Sequence, residues 1–370
     1  MSEAAISVSY DVVIAGAGMA GASLAAELAP HARVLVIETE DTPGYHATGR
    51  SAAFWVESYG GAHVQPLTSA SGGWLETHGF LRPRGGLTIA RADQQSELDR
   101  FEQAFAASGI RMERWDRAAM AACVPGLRPE WMAAVFEPDS KDIDVGALHA
   151  HCLARAREAG AHIRCRSGLA TARRESGGWR LTLADGSVVA AAVLVDAAGA
   201  WADEVARIAG VRPVGIQPYR RTMLQLRTAP AAPAAMPVVL DIGGQFYFKP
   251  ESGRLWLSPH DETPCAPCDA APEEIDLAIA IDRLQRTVDW QVEQLEHKWA
   301  GLRSFAPDRL PVYGFDPREA GFFWFAGQGG FGIQTAPAAA RLAGQMLLGL
   351  PTDAMTRTLD PSLYTPARFG

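Results

Sequence analysis

The residues best placed to do chemistry lie in glycine-rich turns, and the first of these is VVIAGAGMAGAS, Val12 to Ser23. Gly16, Gly18 and Gly21 have the spacing G-x-G-x-x-G. In that pattern the first glycine makes a tight turn, the second admits a pyrophosphate to the backbone, and the third lets a helix pack on a strand. The pyrophosphate would rest on the N–H groups that open the helix at Met19 and Ala20. Glu38 follows about 20 residues beyond the glycines, where a carboxylate accepts hydrogen bonds from adenosine ribose hydroxyls; a 2′-phosphate would call for an arginine instead.

Three further segments present bare or polar backbone. PGYHATGRSAAFWVESYG, Pro43 to Gly60, offers Thr48, Gly49, Arg50, Ser51 and Ala52 to a cofactor that extends past its pyrophosphate, although the same residues also suit an ordinary helix cap. AAVLVDAAGAWADEVA reads as a strand opening into Ala198, Gly199 and Trp201 before a helix. FFWFAGQGGFGIQTAPAAARLAGQMLLG runs from a strand through Gly329, Gly330, Phe331, Gly332, Ile333 and Gln334 into a helix expected from about Pro337. Its N-terminal end would face an electron-rich group.

The elements that must carry these turns form a βαβ unit: a strand over Tyr10–Ala15, a helix over Ala20–Leu28 and a strand over Arg33–Ile37. An amphipathic helix over Gly146–Glu158 and a strand near Ala161–Cys165 return to the same lobe. Residues Leu81–Asp142 and Tyr219–Trp299 lack that rhythm, and runs such as RLWLS and QFYFK predict an antiparallel sheet with flanking helices. Both lobes are therefore discontinuous: 8–80, 143–218 and 300–370 for the dinucleotide, 81–142 and 219–299 for a substrate.

The chain has 370 residues and a formal charge of −8. That balance, with no basic tract, argues against a nucleic-acid partner. Five scattered cysteines fit a reducing compartment, so a cytoplasmic location is expected, with no transmembrane segment. No Lys or Arg precedes the apolar start, as a signal peptide would require. Cys265-Ala266-Pro267-Cys268 has redox-motif spacing but lies in a Pro- and Ala-rich stretch with no strand before it; it reads as a surface loop, and no metal site is expected.

Taken together, GAGMAGAS, PGYHATGRSAA, AAVLVDAAGAW, RRTMLQL, FYFKP, WAGLRSF and GQGGFGIQT resemble the D-amino-acid oxidase superfamily, and within it the bacterial D-arginine dehydrogenases (D-amino acid dehydrogenases). The resemblance implies an α/β fold of the glutathione-reductase-like FAD-binding Rossmann type with an inserted antiparallel-sheet lobe. It also implies FAD held without a covalent bond, because LRSFAPD lacks the tethering cysteine of sarcosine oxidases. The implied reaction takes hydride from an amino acid Cα to the flavin and gives an imino acid that hydrolyses to a 2-keto acid and ammonium.

By the same resemblance Arg221 and Arg303 clamp the substrate carboxylate, Tyr247 and Tyr59 assist, and the Gly330 carbonyl accepts from the amine. Arg220 competes with Arg221, since only one of two adjacent strand residues faces inward. Two departures mark the side-chain pocket: Phe54 replaces a histidine, and Gly86 replaces a glutamate that meets a substrate guanidinium. They favour neutral or apolar D-amino acids, unless Glu57, Arg82 or Arg84 supplies a charge. Trp256 or a neighbour stands where oxidases carry a lysine above the flavin, which favours a quinone or another carrier over O₂ as acceptor. A 2-hydroxy acid dehydrogenase, a glycine/sarcosine-type amine oxidase and a non-catalytic flavin-binding protein are the alternatives.

Overall fold

A computed structural model describes residues 8–52 and 54–370; Ala53, inside the GRSAA motif, lies outside them. Val8–Ala15 pairs in parallel with Val34–Ile37 on one side and with Val188–Asp196 on the other. His162–Arg164 extends the sheet beyond Val34–Ile37, and Phe322–Ala326 joins the carboxyl half of Val188–Asp196. Every residue of Val34–Ile37 and Phe322–Ala326 is buried. Such unbroken apolar runs are what a parallel sheet covered on both faces requires. Met19–Leu28 packs against both Val145–Glu158 and Gly332–Leu348.

The glycines make this layering possible. Gly16 has φ +104°, and a Cβ there would lie 2.5 Å from the Ala197 carbonyl oxygen. A Cβ on Gly21 would lie 1.8 Å from the carbonyl oxygen of Gly16. The first helix can start directly above the strand only because both side chains are missing.

The second lobe is a nine-stranded sheet among the described residues. It is mixed rather than purely antiparallel, since Gly86–Arg91 and Val238–Asp241 run parallel; a hairpin pattern in sequence does not disclose which distant strand becomes the neighbour. Two long strands, Gln217–Ala229 and Gln291–Phe305, pair antiparallel along their whole length. The expected lobe boundaries at 218/219 and 299/300 fall inside these strands, which reach from the substrate sheet to the dinucleotide lobe. The last long helix begins at Gly332 rather than near Pro337. No side chain caps its start, so the usual sequence signal is missing and Pro337 lies inside it.

Gly21→Ala is expected to cost about 3 kcal/mol or more through forced backbone displacement. A thermal melt of purified protein should show a drop of several degrees; an unchanged midpoint would contradict the packing described.

Candidate active site

A cavity of about 500 Å³ lies where the parallel strands end and the two long strands arrive. Gly16, Gly18, Met19, Ala20 and Glu38 line it, together with Ala198, Gly199 and Trp201. Thr48, Arg50, Ser51 and Ala52 contribute from the second segment, and Gly329, Gly330, Gly332 and Ile333 from the last. All four glycine-rich or polar segments therefore meet at one place.

Several of these residues spend their polar atoms on shaping the cavity. Glu38 accepts from the Ala17 N–H at 2.9 Å and from the Glu40 N–H at 3.0 Å, which fixes the glycine turn. Thr48 Oγ1 accepts from the Met19 N–H at 2.9 Å, so the second segment is joined to the first turn of the helix above the glycines. Arg50 donates to the carbonyls of Ala270 and Ala300 and pairs with Asp269. Its guanidinium therefore ties the second segment to the other lobe. Four expected cofactor residues do not line the cavity: Gly21 and Gly49 are packing positions, Phe331 sits in the apolar cluster with Val64 and Phe305, and Gln334 holds a loop.

The far end is built by the two long strands. Arg221 pairs across the ladder with Gly301, and Arg303 with Tyr219. Alternation along a strand puts Arg221, Gly301 and Arg303 on one face and Arg220 on the other. Arg220 accordingly turns away, to Glu273 and Asp276, whereas Arg221 and Arg303 both line the cavity. Arg221 is only 5 % exposed; its Nε donates to the Asp261 carbonyl at 2.8 Å, while its Nη1 is buried without a hydrogen-bond partner. Burial and the Arg303 charge push its pKa down. Arg303 lies 5.6 Å over the Tyr59 ring. A Cβ on Gly330 would sit 2.6 Å from Arg303 Cζ, so the bare backbone there makes room for the guanidinium.

Tyr247 lines the cavity and donates its hydroxyl to Met223 Sδ at 3.1 Å. Met223, also in the lining, is a wall residue that the sequence reading passed over although RRTMLQL contains it. Tyr59 stands just behind the lining, and its buried hydroxyl has no partner. His260 packs edge-on against Tyr247 and shares a short hydrogen bond of 2.7 Å with the Gly244 carbonyl. Burial and the charges of Arg221 and Arg303 hold its pKa down at about 3, so the ring is neutral.

The pocket residues inferred from the two departures are placed differently. Phe54 does not line the cavity; it packs edge-on against Tyr59 and Tyr247 from behind. Gly86 is also outside the lining, and a Cβ there would meet Ser140 Oγ at 2.8 Å. A motif alignment fixes a position along the chain but not the direction of a strand's faces. Trp256 is turned to Gln225 and Trp299 rather than into the cavity. Glu57 is bound to Ser69, Arg84 to Asp142, and Arg82 is exposed; none of the three reaches the lining.

The loop that carries Tyr59 is held from both lobes. Gln334 accepts from the Val56 N–H and donates to the Tyr59 carbonyl at 2.9 Å. Glu137, 3 % exposed, accepts from Ser58 Oγ at 2.5 Å. Burial pushes the Glu137 carboxyl up to about 7 from an ordinary 4.5. Between those values the folded chain keeps a proton that the unfolded chain releases, so stability falls as pH rises through that window. Melts from pH 5 to pH 8 should show wild type losing about 3 kcal/mol that Glu137→Gln retains. Parallel profiles would show that Glu137 does not titrate there.

The donor set fits a dinucleotide: a glycine cradle at a helix N-terminus, a carboxylate at the ribose position and an open run of glycines at the other end. Comparison with known proteins agrees. Residues 11–346 match the family model described as DAO, FAD dependent oxidoreductase. Glycine oxidase of Geobacillus kaustophilus (strain HTA426) is 25 % identical over 361 residues, covering 91 % of this chain and 93 % of that protein. FAD-dependent oxidoreductase domain-containing protein 1 of Bos taurus is 27 % identical over 199 residues, and the match spans only 40 % of its length. Among solved structures, glycine oxidase from Geobacillus kaustophilus superimposes with a TM-score of 0.85 at 23 % identity, covering 97 % of this chain and 99 % of that one. L-proline dehydrogenase from P. horikoshii gives 0.85 at 20 % identity, covering 97 % of both chains. No helix among the described residues is long and apolar enough to cross a membrane. The chain belongs to the DAO family of FAD-dependent oxidoreductases, and FAD is its cofactor.

Proposed function

We propose that this protein oxidises the carbon–nitrogen bond of a small amino acid, with neutral or apolar D-amino acids as its preferred substrates and FAD bound without a covalent link. The observation that carries this reading is the unpartnered Nη1 of buried Arg221 beside Arg303 on one strand face. Two neighbouring guanidinium groups, one buried and one half-buried, call for an anion, and a planar carboxylate matches their fork geometry. Bound FAD supplies the two-electron acceptor. The protein orients the substrate: Arg221 and Arg303 hold the carboxylate, Tyr59 offers a free hydroxyl, and the Gly330 carbonyl is available to the amine. Met223 and Ile333 give the surrounding wall an apolar character.

Preference for neutral side chains follows from the lining. Its carboxylates, Glu38, Glu40 and Glu204, belong to the segments around the ribose position, and none belongs to the arginine end. A cationic side chain there would lose its water without gaining a partner. The likeness to glycine oxidase favours an amine over a 2-hydroxy acid as the oxidised centre. The chirality and the neutral side chain rest on the resemblance and the lining. No lysine lines the cavity among the described residues, which supports a quinone or another carrier as electron acceptor in place of O₂.

Anaerobic mixing with D-phenylalanine, D-leucine or D-methionine should bleach the flavin faster than mixing with D-arginine or 2-hydroxy acids; bleaching best by D-arginine would overturn the assignment. Arg221→Met should lower kcat/KM by about 10²–10³-fold, the size expected for losing a buried charge partner. Acid precipitation should leave a yellow supernatant, and colour kept in the pellet would mean a covalent bond.

A further inference from the structure

One carboxylate already touches the clamp. Glu262 Oε1 accepts from Arg221 Nη2 at 3.3 Å, and both Glu262 oxygens accept from Arg309 Nη2 at 2.9 Å. Neither Glu262 nor Arg309 lines the cavity. The Glu262 side chain is 33 % exposed and that of Arg309 49 %, so the pair links buried Arg221 to the surface. Arg309 is held in position: its guanidinium lies 3.9 Å over the Phe305 ring, two residues from Arg303. It also has φ +65°, a conformation that costs a non-glycine residue free energy and persists only where surrounding contacts enforce it. Asp261, the other acid beside Arg221, is engaged by the Thr222 N–H at 2.7 Å and the Thr222 hydroxyl at 3.0 Å. Glu262 is thus the acid free to change partners.

We propose that Glu262 is a built-in competitor for the substrate carboxylate at Arg221, and that Arg309 is the alternative partner that draws it off. The proposal rests on the carboxylate-clamp reading above. A carboxylate approaching Arg221 Nη1 meets the negative charge of Glu262 on the neighbouring Nη2. Arg309, already bonded to both oxygens, takes Glu262 without leaving its charge unpaired. Arg221 then becomes available through two adjacent N–H groups. The two half-exposed residues therefore act on the same guanidinium with opposite sign: Glu262 weakens carboxylate binding and Arg309 restores it.

The test titrates the FAD-loaded protein with benzoate, followed by the flavin absorbance change, for wild type, Glu262→Gln, Arg309→Met and the double variant. Glu262→Gln should tighten the Kd about threefold, and Arg309→Met should loosen it by a similar factor, the scale of partly exposed ion pairs. In the double variant the loosening should vanish, because a neutral residue 262 leaves Arg309 nothing to hold; a structural role would instead give additive effects. Unchanged Kd values, or both single variants weakened additively, would overturn the proposal. Should Glu262→Gln fail to fold, Arg309→Met decides alone: looser binding supports the proposal, and equal or tighter binding rejects it. Arg221→Met separates this from the underlying reading, since benzoate bound as tightly without Arg221 would refute the clamp itself and the proposal with it.

Discussion

Two guanidinium groups on the same strand face, one buried and one half-buried, constrain much of the molecule around them. Arg221 and Arg303 are diagonal neighbours across one antiparallel ladder, a spacing at which long side chains meet. Their repulsion is moderated locally rather than cancelled: Asp261 contributes a carbonyl and Glu262 a glancing contact, while the third acid of this region, Asp276, is taken by Arg220 on the opposite face. The ladder runs from Gln217 to Ala229 and from Gln291 to Phe305 without interruption other than bulges. Its length holds two like charges together at low exposure, because moving them apart would require breaking many strand pairings.

The same two strands also join the lobes. Arg50, on the cofactor side, bonds the Ala300 carbonyl, and the Trp299 ring N–H donates to the Arg50 carbonyl at 2.9 Å. Gly329 donates its N–H to the Ser304 carbonyl. The turn that precedes the last helix is thereby fastened to the strand that carries Arg303. The last of these contacts is wholly backbone and so does not depend on side-chain rotamers, and it sets the strand of Arg303 relative to the glycine turn at 329–332.

What was legible in the sequence was the part fixed by backbone chemistry. A glycine at φ +104°, as at Gly16, leaves a mark in sequence because few other residues tolerate it. Buried parallel strands leave apolar runs, so the βαβ unit and the later strand at 322–326 are readable. The choice between Arg220 and Arg221 was not readable, because adjacent residues differ only in which face they take. It is settled by register against Gly301 and Tyr219. Phe54 and Gly86 were misplaced for a related reason. Phe54 forms the back of the tyrosine wall, and Gly86 faces Ser140 and Val56. The start of the last helix was missed because glycines at 329, 330 and 332 look like a loop, and the helix begins within them.

Glu137 and Gln334 show how the remaining site residues escape a motif-based reading. Neither reaches the cavity, yet each grips the short segment that ends in Tyr59, one from the substrate sheet and one from the helix that starts at Gly332. The grip uses side chains paired with backbone 79 and 275 residues away, a separation over which no local pattern can be expected. Burial at Glu137 costs ionisation free energy, as its raised pKa records, and the hydrogen bond from Ser58 only partly offsets that cost. A residue kept at a disadvantage to itself and tied to a loop bearing a free buried hydroxyl is best explained by the order it imposes on that loop. Tyr59 then owes its position beside Arg303 to contacts made three residues and one residue before it, at Val56 and Ser58, and to the carbonyl of its own peptide unit.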